Sequence, residues 1–467
     1  MSEMARIISP VDGSVFAERP YVSAEEARES VAKAATAQKA WQQVSLDERI
    51  RILNAAIDIL AEETQDLITE LAWQMGRPVS QGAGEVRGFS ERARYMLEIA
   101  PRVLAPIEMP EKEGFKRYIR RDPVGVVMVI APWNFPYMTA VNSVWPALVA
   151  GNAVILKHAQ QTLLCGERIQ SVLEKAGLPE GLFQVLHMSH QTTSDLLKSP
   201  EIRFVNFTGS VGGGLSIQQA VAESGNFAGT GLELGGKDPA YVRADADIAD
   251  AAVNLADGAF FNTGQSCCSI ERIYVHESVY DEFVEALVEE TKKLMLGNPL
   301  EPTTSLGPLV KASAAAFVRG QIEEAVAAGA KTLINPADFP ADEEGSPYMA
   351  PQILVNVNHD MRVMKEESFG PVVGVMPVSS DEEAILLMND CEFGLSASIW
   401  TRDLEAAESL GAQVNTGTFF MNRCDYLDPS LVWTGVKNTG RGASLSELGY
   451  DALTQPKSFH LRLPSGA

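Results

Sequence analysis

Cys267 stands in the run Phe260-Phe261-Asn262-Thr263-Gly264-Gln265-Ser266-Cys267-Cys268-Ser269, where a thiol in a short polar loop can act as a covalent nucleophile. Most cysteines are small buried side chains. The polar approach from Asn262 to Gln265, and Gly264 within it, argue against that fate for Cys267 and leave a packing role to Cys268. Glu233, between Leu232 and Leu234, is a carboxylate in apolar surroundings, a setting that raises proton affinity toward what a general base needs to activate water. Asn134 lies between Trp133 and Phe135 in a Pro-flanked loop, where its amide can either cap the helix that follows near Tyr137 or donate to an oxyanion. Gly231-Leu232-Glu233-Leu234-Gly235-Gly236-Lys237-Asp238 nearly matches a phosphate loop, but Asp238 replaces the hydroxyl that would ligate magnesium and would repel phosphate, so triphosphate hydrolysis is rejected.

A second group of residues suits an anionic ligand. Phe204 to Phe207 reads as a strand, Thr208-Gly209-Ser210-Val211-Gly212-Gly213-Gly214 as a turn and Leu215 to Ala222 as a helix. The turn sets free N–H groups and a positive dipole end at one place, although alone it reads as a tight βα turn and lacks the Gly-x-Gly-x-x-Gly pattern. Lys157 ends the strand Ala153 to Leu156, at the edge where an open α/β sheet presents its ligand. By itself such a lysine is solvated, and Glu366-Glu367-Ser368-Phe369-Gly370-Pro371 reads as an exposed acidic pair before a turn.

These residues must be positioned by more than one core, because 467 residues exceed what one compact unit holds. The formal charge of −23 opposes phosphate backbones and anionic lipid, which excludes nucleic acid and a membrane surface as partners. Met1 to Pro20 carries no secretory pattern and no apolar stretch spans a bilayer, so a cytoplasmic location is expected. The five cysteines include no Cys-x-x-Cys pair, and His187 and His190 have no acidic neighbour, so no metal site and no disulfide framework are expected. Residues 24 to 75 carry helical periodicity. From Val124 short β-rich runs alternate with helical stretches (Val124–Ile130, Ala153–Leu156, Phe183–Leu186, Arg203–Phe207), and a second such block follows Lys237 (Glu271–His276, Ile353–Val357, Val372–Val378, Ala397–Trp400, Gly417–Met421). Arg117 to Arg121 and Phe459 to Leu463 read as strands belonging to neither block.

Four runs, Ala131-Pro132-Trp133-Asn134-Phe135-Pro136, Leu232 to Lys237, Gly264-Gln265-Ser266-Cys267 and Glu366 to Pro371, together resemble the aldehyde dehydrogenase superfamily, in its order and spacing over nearly the whole chain. The resemblance implies an α/β fold: a Rossmann-like parallel-sheet cofactor domain over residues 1–104 and 124–235, a second α/β catalytic domain over 236–433, and a small oligomerisation sheet from 105–123 and 455–467. It implies oxidation of a small-molecule aldehyde to a carboxylate by a homodimer or homotetramer. Cys267 would be the nucleophile, Asn134 with a backbone N–H at Cys267 the oxyanion hole, and Glu233 the base that hydrolyses the thioester. Glu233 also speaks against transfer to coenzyme A.

The implied cofactor is NAD or NADP, with NAD favoured. Its expected contacts are Ala131, Pro132, Trp133, Lys157, Gln160, Gly209, Ser210, Gly213, Leu234, Glu367 and Phe369. Neutral Gln160, where NAD-strict members often have glutamate, leaves NADP open. Tyr137, Met138, Arg423 and Trp433 are expected around the aldehyde, with Arg423 offered to a substrate carboxylate or else to Asp425 or Asp428. Ser143 stands where many members have a lysine supporting the oxyanion asparagine, and Glu447 is given no role. The alternatives are a cofactor-free cysteine hydrolase, which lacks an evident catalytic histidine, and an inactive binding protein of the same fold.

Overall fold

The computed structural model describes residues 3–464, so the last three residues of the expected 455–467 segment lie outside the described residues. Two large α/β sheets carry the chain. The first has six strands in the spatial order Gly440–Arg441, Gly229–Glu233, Ile202–Thr208, Val126–Ala131, Ala153–His158, Phe183–Val185, parallel except for the first of these. Val126–Ala131 and Ala153–His158 are buried along their whole length, as continuous apolar runs must be when helices cover both faces of a parallel sheet.

The second sheet has seven strands in the order Lys331–Thr332, Gln352–Val355, Val372–Val378, Ile270–His276, Asp238–Val242, Ser396–Trp400, Thr418–Met421, with only Lys331–Thr332 antiparallel. Its central strand Asp238–Val242 gives little signal in the sequence, because Pro239 removes a ladder donor. The ladder accommodates it with a register shift between Asp238 and Pro239. Two antiparallel sheets complete the fold: a hairpin Met4–Ile8 with Val15–Pro20, and a three-stranded sheet Thr454–Arg462, Phe115–Pro123, Ile107–Glu108. The strands Phe115–Pro123 and Thr454–Arg462 are longer than the sequence suggested, and their pairing is fastened by Tyr118 stacked on Phe459 at 4.6 Å.

The periodic stretch near the N-terminus folds as three helices, Ala24–Trp41, Leu46–Glu62 and Thr64–Met75, the first opened by a capping box between Ser23 and Glu26. A fourth helix, Val79–Val103, follows. Its glycines at 82, 84 and 88 hide it from a propensity reading, yet its buried face packs on the helix Pro136–Val149 and carries Glu85 and Arg92 toward the site. Trp41 Nε1 donates to Leu148 O at 2.8 Å, tying the first helix to the same core.

Candidate active site

Cys267 sits between two cavities and lines both. One, of about 310 Å³, is bounded by Met138, Glu233, Phe261, Cys267, Asp425 and Trp433 among others. The other, of about 370 Å³, runs along the carboxyl ends of the first sheet, past Ala131 to Asn134, Lys157, Gly209, Ser210, Leu234, Glu367 and Phe369. Thr139 and Thr208 also border both. Thr139 has no signal in the sequence, and Thr208 is marked there only as the residue that opens the glycine turn.

The loop before Cys267 is polar but buried. Asn262 and Thr263 hold left-handed backbones at φ 51° and 60°, which non-glycine residues adopt only where surrounding bonds impose it. Asn262 Nδ2 donates to Gln265 O (3.1 Å) and Asn134 O (3.3 Å), Thr263 Oγ1 donates to Gly307 O (3.0 Å), and Gln265 Oε1 accepts from Val310 N (2.8 Å). Gly236 passes so close that a Cβ there would lie 2.0 Å from Cys267 O, so the Gly-Gly pair of the Leu232 to Lys237 run is where the strand end meets the Cys267 loop. Gly264 is a left-handed residue (φ 71°) wedged against Gly370 O.

Asn134 is buried and does not cap a helix. The helix begins at Pro136 after Phe135, and its first N–H groups are satisfied by Glu85, whose Oε1 accepts from Tyr137 N (2.9 Å) and Met138 N (3.0 Å). Glu85 Oε2 pairs with Arg77 Nη1, and Arg77 also donates to Asn134 O and, at 3.3 Å, to Asn262 Oδ1. Arg77 and Glu85 are each about 1% exposed, and the guanidinium lies 4.4 Å from the Phe135 ring centre. The Asn134 amide Nδ2 donates one hydrogen to Gln265 O at 3.3 Å. Ser143 Oγ accepts from Asn206 Nδ2, so this position serves the sheet rather than Asn134.

Glu233 ends its strand facing the first cavity. Its Oε1 accepts from Ser444 Oγ at 2.6 Å and its Oε2 from Thr208 Oγ1 at 3.2 Å. Loss of hydration pushes its proton affinity above the ordinary carboxylate value, while these two hydroxyls and the charge of Arg92 pull the other way. Ser444 has no sequence signal, because it arrives from the far side of the strand Gly440–Arg441 that pairs with Glu233.

In the second cavity Lys157 is a buried ammonium that meets no acceptor among the described residues, and burial lowers its pKa. Gly209 and Ser210 line the cavity at the start of the helix Val211–Glu223, where first-turn N–H groups lack intrahelical partners. Gly213 stands back from the lining, its N–H bonded to Ser210 Oγ at 3.2 Å. Glu367 accepts from Gly236 N at 2.8 Å, and burial, reinforced by the nearby Glu271 carboxylate, raises its pKa to about 7. Phe369, left-handed at φ 52°, meets Trp133 edge-on at 5.6 Å. Its N–H and that of Ser368 are gripped by Glu271 at 2.9 and 2.8 Å. An unpartnered cation, a helix N-terminus and an acceptor at the opposite end fit a dinucleotide.

Besides Gly213, three expected contacts lie elsewhere. Gln160 is exposed and outside the cavity lining, donating to Arg6 O (2.9 Å) and accepting from Tyr21 (3.0 Å). Tyr137 is fully buried behind the first cavity, because the helix turns it into the core against Phe89, while Met138 faces that cavity. Arg423 is drawn onto the Tyr426 ring, 3.4 Å from its centre, outside the cavity lining; it forms no ion pair with Asp425 or Asp428. Arg92, overlooked in the sequence, is with Arg77 a buried cation of this cavity, and it donates to Met138 O at 2.8 Å. No group of three or more potential metal ligands occurs among the described residues.

A parallel sheet presenting a dinucleotide-shaped cleft to a thiol on a second α/β unit suits a nicotinamide-dependent oxidoreductase. The chain belongs to the aldehyde dehydrogenase family, which it matches over residues 1–459. It is 34% identical to an aldehyde dehydrogenase of Paenarthrobacter nicotinovorans, covering 95% of this chain and 96% of that one. It is 33% identical to an NADP-dependent succinate-semialdehyde dehydrogenase of Mycobacterium avium, with 88% and 86% covered. Among solved structures, an indole-3-acetaldehyde dehydrogenase in complex with NAD+ superimposes with a TM-score of 0.93 at 31% identity, covering 99% of this chain and 95% of that one. The protein is an NAD(P)-dependent enzyme that oxidises aldehydes. No helix among the described residues is long and apolar enough to cross a membrane.

Proposed function

We propose that the reaction runs through a covalent intermediate on Cys267, with Asn134 and Glu233 as its partners, and ends in hydrolysis to a carboxylic acid. The observation that carries this reading is that Cys267 lines both cavities, so a substrate held on its sulfur lies at the mouth of the dinucleotide cleft. The Cys267 thiolate adds to the aldehyde carbonyl, and the oxygen becomes an oxyanion facing the second amide hydrogen of Asn134 and the Cys267 N–H. A nicotinamide held by the residues of the second cavity would supply the acceptor for the hydride that this adduct loses. Glu233 then takes a proton from water, the hydroxyl adds to the thioester carbon, and the carbon–sulfur bond breaks to release the carboxylate and restore the thiolate.

In this reading Lys157 donates to the adenosine ribose and Glu367 accepts from the nicotinamide ribose, which their shared lining of the second cavity supports. The lining carries one unpaired cation and one carboxylate bonded to the backbone, a balance that admits the additional phosphate of NADP as well as NAD. The edge strand Thr454–Arg462 offers its free side to a second copy in a dimer or tetramer.

The test is absorbance of reduced nicotinamide when the protein meets aliphatic, aromatic, amino- and carboxy-aldehydes with NAD or NADP. A signal absent in Cys267→Ala is expected. Full turnover in that variant would overturn the assignment, and thiol-dependent ester cleavage without dinucleotide would favour a hydrolase.

A further inference from the structure

Two adjacent thiols, Cys267 and Cys268, both line the substrate cavity, yet only Cys267 also reaches the dinucleotide cavity. Productive chemistry therefore requires that the wrong thiol be kept silent. Asp425 touches the residues on either side of Cys267: its Oδ1 accepts from Cys268 Sγ at 2.9 Å and from Ser266 Oγ at 3.4 Å. Asp425 is held there by a left-handed backbone, φ 48°, in a loop whose Cys424 packs beside Gly258 and whose Tyr426 donates to Glu91 at 3.1 Å. A thiol that donates to a carboxylate cannot ionise without setting two negative charges within hydrogen-bond distance.

We propose that Asp425 is a positioning residue that selects the nucleophile, gripping both neighbours of Cys267 and holding Cys268 as a protonated S–H donor so that Cys267 alone reacts. This rests on the reading of Cys267 as the nucleophile. The groups facing Asp425 are Ser266 and Cys268 from the nucleophile loop, Asp257 from the helix Ile248–Phe260, Arg92 from the helix Val79–Val103, and Cys424 on its own loop. Burial brings the Asp425 pKa up to about 7, with Asp257 adding to the rise and the bonds from Cys268 and Ser266, with the Arg92 charge, opposing it. Cys268 is pushed well above an ordinary thiol by its bond with Cys267, by burial and by the Asp425 charge. The selection consequently strengthens as Asp425 ionises.

The experiment is limited alkylation with iodoacetamide at pH 8, in which sulfur displaces iodide, followed by fragment mass spectrometry that assigns the adduct to Cys267 or Cys268. Wild type is expected to label at Cys267. Asp425→Asn keeps the shape but not the charge, and should lower the Cys267 to Cys268 labelling ratio by about tenfold, one unit of thiol acidity. Asp425→Glu should restore part of it, and kcat in Asp425→Asn should fall with little change in KM. In wild type the ratio should rise between pH 6 and 8, a readout needing no variant. A ratio unchanged by Asp425→Asn, or flat with pH in wild type, overturns the proposal while leaving Cys267 as nucleophile. Labelling of Cys268 with Cys267 inert in wild type overturns the nucleophile assignment itself.

Discussion

Replacing Arg77 by methionine isolates what the buried pair behind Asn134 contributes. The substitution removes the counter-charge of Glu85, the donor to Asn134 O and the 3.3 Å bond to Asn262 Oδ1. Glu85 keeps its two backbone donors, Tyr137 N at 2.9 Å and Met138 N at 3.0 Å. Breaking a buried pair by deleting one partner costs about 3–5 kcal/mol, and those two surviving bonds set the expected loss at the low end, about 3 kcal/mol. That is a factor of roughly 150 in the equilibrium between folded and unfolded chain. With the Asn134 carbonyl then held only by Asn262 Nδ2 at 3.3 Å, its amide should also be misplaced, lowering kcat by up to about a hundredfold, the loss associated with one oxyanion donor. Urea titration followed by fluorescence measures the first effect, and steady-state kinetics the second. Glu85→Leu combined with Arg77→Met should regain stability, because no charge is then left buried, but not turnover. A single Arg77→Met variant with wild-type urea midpoint and wild-type kcat would refute the reasoning.

Glu367 should make cofactor binding pH-dependent: with its pKa near 7 it becomes a full acceptor only as pH rises, so KM for the dinucleotide should fall between pH 6 and 8 and stay flat in Glu367→Gln. Ser444→Ala removes a hydroxyl that stabilises the Glu233 carboxylate, so the acid limb of turnover, already above the usual carboxylate range, should move to higher pH; an unmoved limb would detach Glu233 from it. Gly88→Ala sets a methyl 2.2 Å from Met138 Sδ and forces that side chain to shift in the substrate cavity, so KM for bulky aldehydes should rise while dinucleotide KM holds. Equal changes in both would mean a general loss of structure.

The strands of the two sheets were legible because continuous apolar runs leave few other uses for a segment. Exceptions had local causes, such as Pro239 in a central strand and the glycines that disguise Val79–Val103. Residues that sit in contiguous motifs and line the cavities, Cys267, Glu233, Asn134 and Glu367, stood out in the sequence. Their supports did not, because Arg77 and Ser444 reach Asn134 and Glu233, and Glu85, Glu271 and Asp425 reach the neighbours of Asn134, Glu367 and Cys267, across sequence separations that no local pattern encodes. Orientation was equally hidden. Tyr137 and Met138 are adjacent on one helix, yet only the second faces the cavity, and Arg423 is taken by the ring of Tyr426.

The central claim is that substrate becomes covalently attached to Cys267 and is released by water activated at Glu233. The most direct test is to mix Glu233→Gln enzyme with aldehyde and dinucleotide, quench in acid, and weigh the peptide containing Cys267. A burst of reduced nicotinamide of about one per site is expected, as a base deletion permits the first half-reaction alone, with the acyl mass on Cys267. Sustained turnover with no acyl adduct, or an adduct on Cys268 instead, would contradict it.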